Sequence, residues 1–187
     1  MNKEFGDGLN QAVQKAFTRP APKNAGPQMR YLVKQLGGTK AVAQMLRISQ
    51  RTVERYVKDQ IKKPRPDLAA RLEREVKARW QPQIRAKAKE KAATTGGIVI
   101  DVHARLGYAG ASMDSTDEDR ERHLTVALPP QYAARLFDAQ EQGASEDRLR
   151  ELTAEALKEV YFQDSGRRAG SLQEVQINDV LNLGFQL

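Results

Sequence analysis

The chain has 187 residues, of which 31 are Lys or Arg and 24 are Asp or Glu, so its formal net charge is +7. This length allows one domain or two small ones, and 40% hydrophobic with only 6% aromatic residues favours small helical cores. The absence of cysteine excludes disulfides, Cys-ligated zinc and a thiol nucleophile. No apolar run approaches the roughly 20 residues of a membrane span, and the N-terminus lacks a signal-peptide core. We therefore expect a cytoplasmic protein without a membrane partner.

The charge is strongly segregated along the chain. Residues 1–92 contain 22 Lys and Arg but 8 Asp and Glu, whereas residues 93–187 contain 9 and 16. Solubility alone does not require the two signs to be separated. A basic half joined to an acidic half instead indicates that the first half binds a polyanion such as nucleic acid.

Three short helices are predicted in the basic half. The first spans Gln28–Leu36, with apolar residues at helical spacing. Thr39 is predicted to cap a second helix that runs to Leu46, and Ser49 to cap a third over Gln50–Lys58. About three residues join the last two helices, which is typical of the DNA-binding helix-turn-helix. Ala43 lies where the two helices must approach closely, and the residues that would form the small core are Val42, Leu46, Ile48, Val53 and Tyr56.

The third helix presents polar and basic side chains on the face opposite this core. Gln and Arg can make bidentate contacts with base edges in the major groove, and basic residues can contact phosphates. The predicted DNA-binding residues are Gln50, Arg51, Thr52, Arg55 and Lys58 in the helix and Lys62, Lys63 and Arg65 in the linker after it. The alternative is a three-helix core with a solvated basic face. Arg47 stands in the turn where many such motifs have glycine, and a left-handed Arg there would cost about 1–2 kcal/mol.

Basic character continues after the linker. Asp67 is predicted to cap a helix that runs to about Trp80 and is interrupted near Pro82. The run after it has almost no acids, and its side chains either contact phosphates or form a solvated charge run. Its members are Arg85, Lys87, Lys89 and Lys91.

The acidic half shows an α+β pattern. The predicted elements are strands at about 98–102 and 123–128, helices at about 131–142 and 145–161, and a candidate short strand in the final residues 174–183. Between the first two strands, residues 105–119 are polar, acidic and glycine-containing, which predicts an exposed loop. The order of strand, helix and helix also looks like a ribbon-helix-helix subunit, which implies a homodimer. The two histidines, His103 and His123, form no helix-spaced pair and are interpreted as surface or strand-filling residues.

The predicted fold class is mainly α with a small α+β part. It consists of an N-terminal helix-turn-helix bundle followed by a module of two strands and two helices. Residues 1–95 would form the basic DNA-binding domain with its helical extension. Residues 96–187 would form the acidic domain, which carries the loop and a surface for interaction or dimerisation.

Several blocks of the sequence are long enough to be compared with a known family. They are Ala16–Pro20, Gln28–Leu36, Ser49–Gln60, Trp80–Gln83, Thr95–Asp101, His123–Gln140 and Lys158–Asp164. In these blocks, which are spread over nearly the whole chain, the sequence resembles the telomere-protecting terminal proteins of Streptomyces. The resemblance implies covalent attachment to the 5′ ends of linear chromosomes and plasmids. It also implies telomeric DNA as the ligand and chromosome ends, in the nucleoid, as the location.

The resemblance further implies a protein primer rather than an enzyme. A side-chain hydroxyl accepts the first deoxynucleotide, while a partner DNA polymerase supplies catalysis, Mg²⁺ and the dNTP, so no intrinsic cofactor is expected. A telomere-associated protein is the second implied partner. The family's acceptor is a threonine in an acid-flanked run ahead of a His-Leu-Thr strand, and the match here is Thr116, with Ser115 as second candidate. Ser115 also fits a helix-capping box with Glu118.

Two other functions fit the basic half. A helix-turn-helix transcriptional regulator would bind a palindromic site reversibly, without a nucleotide adduct. A structural nucleoid protein would bind DNA without preference for ends or sequence.

Overall fold

A computed structural model describes residues 4–110, 117–162 and 172–187 of the chain. Its α-helices are α1 Phe5–Gln14, α2 Ala25–Leu36, α3 Thr39–Leu46, α4 Gln50–Val57, α5 Pro66–Arg79, α6 Pro82–Lys91, α7 Pro130–Glu141 and α8 Glu146–Leu157. Its strands are β1 Ile98–Gly110, β2 Asp117–Leu128 and β3 Leu172–Gln186. π-Helical turns follow α6 and α8, at Ala92–Gly96 and Lys158–Phe162. The prediction of a mainly α protein with a small β part is thereby confirmed.

The chain divides into two units, and the division differs from the predicted boundary at residues 95 and 96. One unit, called here the helical unit, comprises residues 18–82. The other, called here the sheet unit, comprises residues 1–17 and 83–187. Helix α1 and residues 83–91 of α6 lie in the sheet unit, where apolar side chains of α1 are buried in the core and Ala88 of α6 packs against it.

The helical unit is built from α2, α3, α4 and α5 around a core of its own. Of the residues predicted for the helix-turn-helix core, all are buried except Ile48, which is partly buried against the others. Helix α5 completes the core with one apolar residue per turn. These residues are Leu68, Leu72 and Val76.

Two predicted helix caps in this unit are wrong. Helix α3 begins at Thr39 itself, so Gly38 is the N-cap and no side chain caps the helix. Helix α5 begins at Pro66, whose missing N–H costs nothing in a first turn. Asp67 therefore lies inside the first turn, where it forms an ion pair with Arg71 at 3.1 Å.

Helix α1 was not predicted from the sequence. It is held in the sheet unit by its apolar face and by hydrogen bonds at its N-terminus. Phe5, Leu9, Ala12 and Val13 are buried in the core that also covers the sheet. The carboxylate of Glu146, in the first turn of α8, accepts hydrogen bonds from two N–H groups at the start of α1, those of Phe5 at 2.6 Å and Gly6 at 3.0 Å. These contacts satisfy donors that a helix N-terminus otherwise leaves open.

The sheet has three antiparallel strands in the order β2-β1-β3. Alternate β1 residues from Ile98 to Leu106 are buried against α1, α7 and α8, and the residues between them face outward. Gly97 precedes β1 with φ 69°, and a Cβ there would lie 2.3 Å from the carbonyl oxygen of Leu128. Glycine is therefore required where the sheet begins.

All three strands are longer than predicted. Residues 105–110 continue β1 and residues 117–122 begin β2, so most of the predicted exposed loop is paired backbone. In this part Arg105 lies opposite Glu121. Polar cross-strand pairs can stabilise strands without a hydrophobic pattern.

Candidate nucleic-acid interface

Helices α3 and α4 are joined by residues 47–49 in the predicted helix-turn-helix arrangement. Arg47 adopts the left-handed conformation, with φ 54° and ψ 49°, as this motif requires. Ser49 caps α4 as predicted, because its Oγ accepts a hydrogen bond of 3.2 Å from the N–H of Thr52. The short turn therefore fixes both the end of α3 and the beginning of α4.

Two residues of the predicted DNA-binding set have local hydrogen bonds. The Nε2 of Gln50 donates to Thr39 Oγ1 at 3.1 Å and to Glu54 Oε1 at 3.0 Å. The hydroxyl of Thr52 lies 2.8 Å from that of Ser49. These bonds stabilise the beginning of α4 and occupy the donors of Gln50. The basic residues of α4 thus become its principal candidates for DNA contacts.

The other end of α4 is held by Arg30 of α2, a role that sequence reasoning missed. Its Nη1 donates to the carbonyl oxygen of Val57 at 2.9 Å and to Asp59 Oδ2 at 2.8 Å. Arg71 of α5 does the same for α3, since its Nη1 donates to the carbonyl oxygen of Leu46 at 2.9 Å. Both guanidinium groups satisfy carbonyls that the ends of short helices leave open. The sequence alone does not distinguish Arg30 and Arg71 from the other basic residues of α2 and α5.

The helical unit is more basic than the whole chain. It contains 16 Lys and Arg but only five Asp and Glu, a net charge of +11. Four of the acids form ion pairs with basic residues of α2 and α5, and the fifth, Glu54, accepts the hydrogen bond of Gln50. None of the five neutralises a basic residue of α4 or of the linker after it.

The basic residues of the predicted set are therefore uncompensated. Within residues 18–82, all of which the structure describes, their side chains are exposed and form no ion pair. They are Arg51, Arg55, Lys58, Lys62, Lys63 and Arg65. Cationic side chains without an ion pair attract phosphates, and no salt bridge within the protein has to break before they bind.

The basic run in α6 divides between two faces, which the prediction of a single charged segment does not distinguish. Arg85 Nη1 donates to Asn10 Oδ1 at 3.2 Å, and its guanidinium lies 5.6 Å from the ring centre of Phe17. Burial of this group lowers the pKa of Arg85. Lys89 forms an ion pair of 2.8 Å with Glu141. Lys87 and Lys91 lie on the opposite, exposed face.

Both candidates for the priming hydroxyl, Ser115 and Thr116, lie outside the described residues. Their place in the sequence is nevertheless defined by the strands on either side. The last described pair of β1 and β2 joins Tyr108 and Asp117. Thr116 is therefore the residue that comes directly before β2 in the sequence.

The two histidines lie side by side on the outer face of the sheet, which their sequence spacing does not show. The antiparallel register pairs His103 with His123, and their ring centres are 5.6 Å apart. His103 Nε2 lies 2.7 Å from Glu121 Oε1, and His123 Nε2 lies 3.1 Å from Asp101 Oδ1. The hydrogen bond with His123, together with one from Thr125, lowers the pKa of Asp101.

Other site types are not apparent in the part of the chain that the structure describes. No group of three or more His, Asp or Glu side chains there is suited to hold a metal ion. None of the helices described is both long and apolar enough to cross a membrane.

Comparisons with known proteins do not assign the chain to a family. No family model, no curated protein and no solved structure matches the chain.

Proposed function

We propose that this protein binds duplex DNA through α4 and the linker after it. The observation that carries the proposal is the set of exposed basic side chains whose charge no acid of the same unit neutralises. Helix α4 is braced at both ends, by Gln50 and by Arg30. A rigid helix with free Arg side chains suits entry into the major groove, where Arg reads guanine and Lys holds phosphates.

The first experiment compares Arg variants of equal charge change. Arg51→Ala and Arg55→Ala are each expected to weaken duplex binding by about 1–3 kcal/mol. Arg74→Ala is the matched control, because Arg74 is an exposed Arg of α5, 3.8 Å from Glu75, outside the proposed interface. Binding is measured by fluorescence anisotropy with a labelled duplex. Wild-type affinity in both α4 variants would place the interface elsewhere.

We further propose that this DNA-binding protein is a terminal protein that primes synthesis at the ends of linear replicons. The support is the resemblance in sequence, together with the position of Thr116 directly before a strand of the sheet. The helical unit would hold the duplex end. Residues 111–116 would present a hydroxyl to a partner DNA polymerase.

The reaction is a nucleotidyl transfer to an alcohol. The Thr116 oxygen attacks the α-phosphorus of a dNTP, pyrophosphate leaves, and a phosphodiester forms between Thr116 and the nucleotide. The hydroxyl proton passes to a base of the polymerase or to water. The polymerase supplies the two metal ions that stabilise the attacking and leaving oxygens, so this chain needs to contribute only the acceptor.

The priming experiment uses labelled dNTP, Mg²⁺, the cognate polymerase and a telomeric template. Label that survives a denaturing gel shows the covalent adduct, and Thr116→Ala is expected to abolish it while Ser115→Ala retains it. If Ser115→Ala abolishes the label and Thr116→Ala retains it, the acceptor is Ser115. If the wild-type chain binds duplex DNA but acquires no label, the protein is a reversible regulator of the helix-turn-helix type.

A further inference from the structure

Four of the described helices end in the same hydrogen-bonded motif. In this motif, one residue adopts the left-handed conformation, and the next N–H donates to a carbonyl five residues earlier. The N–H groups of Gly38, Ile48, Gln60 and Ala144 donate to the carbonyls of Val33, Ala43, Arg55 and Ala139 at 3.0, 3.0, 2.8 and 2.9 Å. The left-handed residues are Gly37 in α2, Arg47 in α3, Asp59 in α4 and Gly143 in α7.

Three of these residues are explained by their own chemistry. Gly37 and Gly143, with φ of 75° and 79°, lack the Cβ that makes this conformation costly. Asp59, with φ 55°, belongs to the residue types that tolerate the left-handed region. Its carboxylate also accepts the 2.8 Å hydrogen bond from Arg30, which fixes it in place.

Arg47 has neither explanation. Its φ of 54° is unfavourable for a long side chain, and its side chain is exposed. Throughout residues 18–82, which are described without a gap, no hydrogen bond or ion pair engages its guanidinium. Glycine would close the same turn with less strain, so folding of the unit does not account for an Arg here.

The position of Arg47 suggests what it binds. It lies in the turn of the helix-turn-helix, two residues before the Ser49 cap of α4. A cation there adds to the uncompensated charge of Arg51 and Arg55 on that helix. Backbone strain of this kind is retained at functional sites when the side chain is needed.

We propose that the Arg47 guanidinium binds a DNA backbone phosphate beside the groove that α4 enters. The proposal rests on the proposed DNA-binding function and adds a contact that trades stability for affinity. Such a contact is sequence-independent, because phosphates carry no base information.

The test uses three substitutions that separate charge from backbone strain. Arg47→Lys keeps both, Arg47→Ala removes the charge and keeps the strain, and Arg47→Gly removes both. Affinity is measured on a short duplex of mixed sequence between about 50 and 200 mM KCl. Thermal unfolding of the helical unit is followed by the fluorescence of Trp80, the only tryptophan of the chain.

The proposal expects opposite changes in stability and affinity. Arg47→Gly should raise the unfolding midpoint by about 5 °C. Arg47→Gly and Arg47→Ala should both bind about 5–10-fold more weakly, with a salt slope smaller by about 1, while Arg47→Lys stays near wild type. The midpoint of Arg47→Ala should stay near that of wild type.

Three other results would overturn the proposal, each for a different reason. Wild-type affinity and salt slope in Arg47→Ala, with weakened binding in Arg55→Ala, would refute the phosphate contact and leave the interface standing. Weakened binding in Arg47→Gly but not in Arg47→Ala would assign the effect to a loosened turn. Wild-type binding in all of these variants, Arg55→Ala included, would remove the DNA interface itself.

Discussion

Arg30 holds the C-terminal end of α4 through two contacts of a single guanidinium nitrogen, one with the carbonyl of Val57 and one with Asp59. Because the ion pair is about half exposed, solvent screens most of its charge interaction, and the carbonyl bond is the larger loss on truncation. Arg30→Ala is expected to lower the free energy of unfolding of the helical unit by about 1 kcal/mol, measured by urea denaturation with Trp80 fluorescence.

Arg74→Ala serves as the control for this experiment as well. Its ion pair with Glu75 is 3.8 Å long, and its side chain is 72% exposed, so its removal should change stability by less than about 0.5 kcal/mol. If Arg30→Ala and Arg74→Ala lower the free energy of unfolding equally, Arg30 stabilises the unit only through its charge, and its hydrogen bonds do not stabilise the end of α4.

Tyr132 offers a prediction at alkaline pH. Burial, together with a hydrogen bond donated to Glu159, raises its pKa from 10.0 to about 12. The folded state therefore holds the phenol neutral more firmly than the unfolded chain does. The neutral Tyr132 hydroxyl therefore contributes to the free energy of unfolding. This contribution is complete below pH 10 and is lost as the pH rises through the folded pKa of about 12.

The measurement compares wild type with Tyr132→Phe in urea unfolding from pH 7 upward. Wild type should be the more stable protein near neutral pH, and the difference should shrink above pH 10. Unfolding is followed by far-ultraviolet circular dichroism, because Tyr132 lies in the sheet unit and Trp80 does not. A difference that stays constant to the highest pH would show that the hydroxyl does not favour the folded state.

At the scale of elements, α6 shows how basic side chains can form the packed face of a helix. No α6 residue is fully buried, yet the charged ends of Arg85 and Lys89 lie over the rings of Phe17 and Phe137, at 5.6 and 5.2 Å from the ring centres. These two residues are four apart, as are Lys87 and Lys91 on the exposed face. A cation over the face of an aromatic ring is attracted to that ring and can still donate to a polar partner.

This division gives two double variants of equal charge. Arg85→Ala/Lys89→Ala is expected to destabilise the sheet unit by about 1–3 kcal/mol, because packing and hydrogen bonds are lost. Lys87→Ala/Lys91→Ala should leave stability unchanged and reduce the salt slope of duplex binding by up to about 2, if both lysines contact phosphates. Circular dichroism and anisotropy separate the two effects. An unchanged slope would confine the phosphate contacts to the helical unit.

The sequence predicted well where local chemistry alone determines structure. The Ser49 cap and the apolar spacing from Val42 to Tyr56 depend on neighbours within one or two turns, and the helix-turn-helix followed from them. The conformational strain of Arg47 could also be predicted, because it follows from the position of Arg47 in the turn of the expected helix-turn-helix. Helix starts were less certain, since Pro66 rather than Asp67 opens α5.

The sheet was harder to predict because its strands depend on their partners. Opposite β1, the pairing of β3 skips Leu181, Asn178 and Gln173, so β3 is irregular at three places. The first two break the alternation of its buried residues, which are Val175, Ile177, Val180, Leu183 and Phe185. The approach of the two histidines was hidden for the same reason, since it follows from the register of β1 and β2.

At the scale of the whole molecule, the two units differ in charge and in the size of their cores. Residues 18–82 carry a net charge of +11, whereas the remaining residues carry −4. The helical unit has a small core of buried residues, and the sheet unit has a much larger one. Small domains bury a smaller fraction of their surface and are correspondingly less stable. The helical unit is therefore expected to unfold first.

Core substitutions in each unit test whether the units unfold separately. Leu72 and Leu136 are almost completely buried, one in each core, and truncation to Ala should cost about 2–5 kcal/mol at either site. Leu72→Ala should shift the transition seen by Trp80 fluorescence to lower urea. Leu136→Ala should leave that transition in place and shift only the remaining loss of far-ultraviolet circular dichroism. If Leu136→Ala moves both transitions equally, the chain unfolds as one cooperative unit, and the helical unit depends on the sheet unit for its stability.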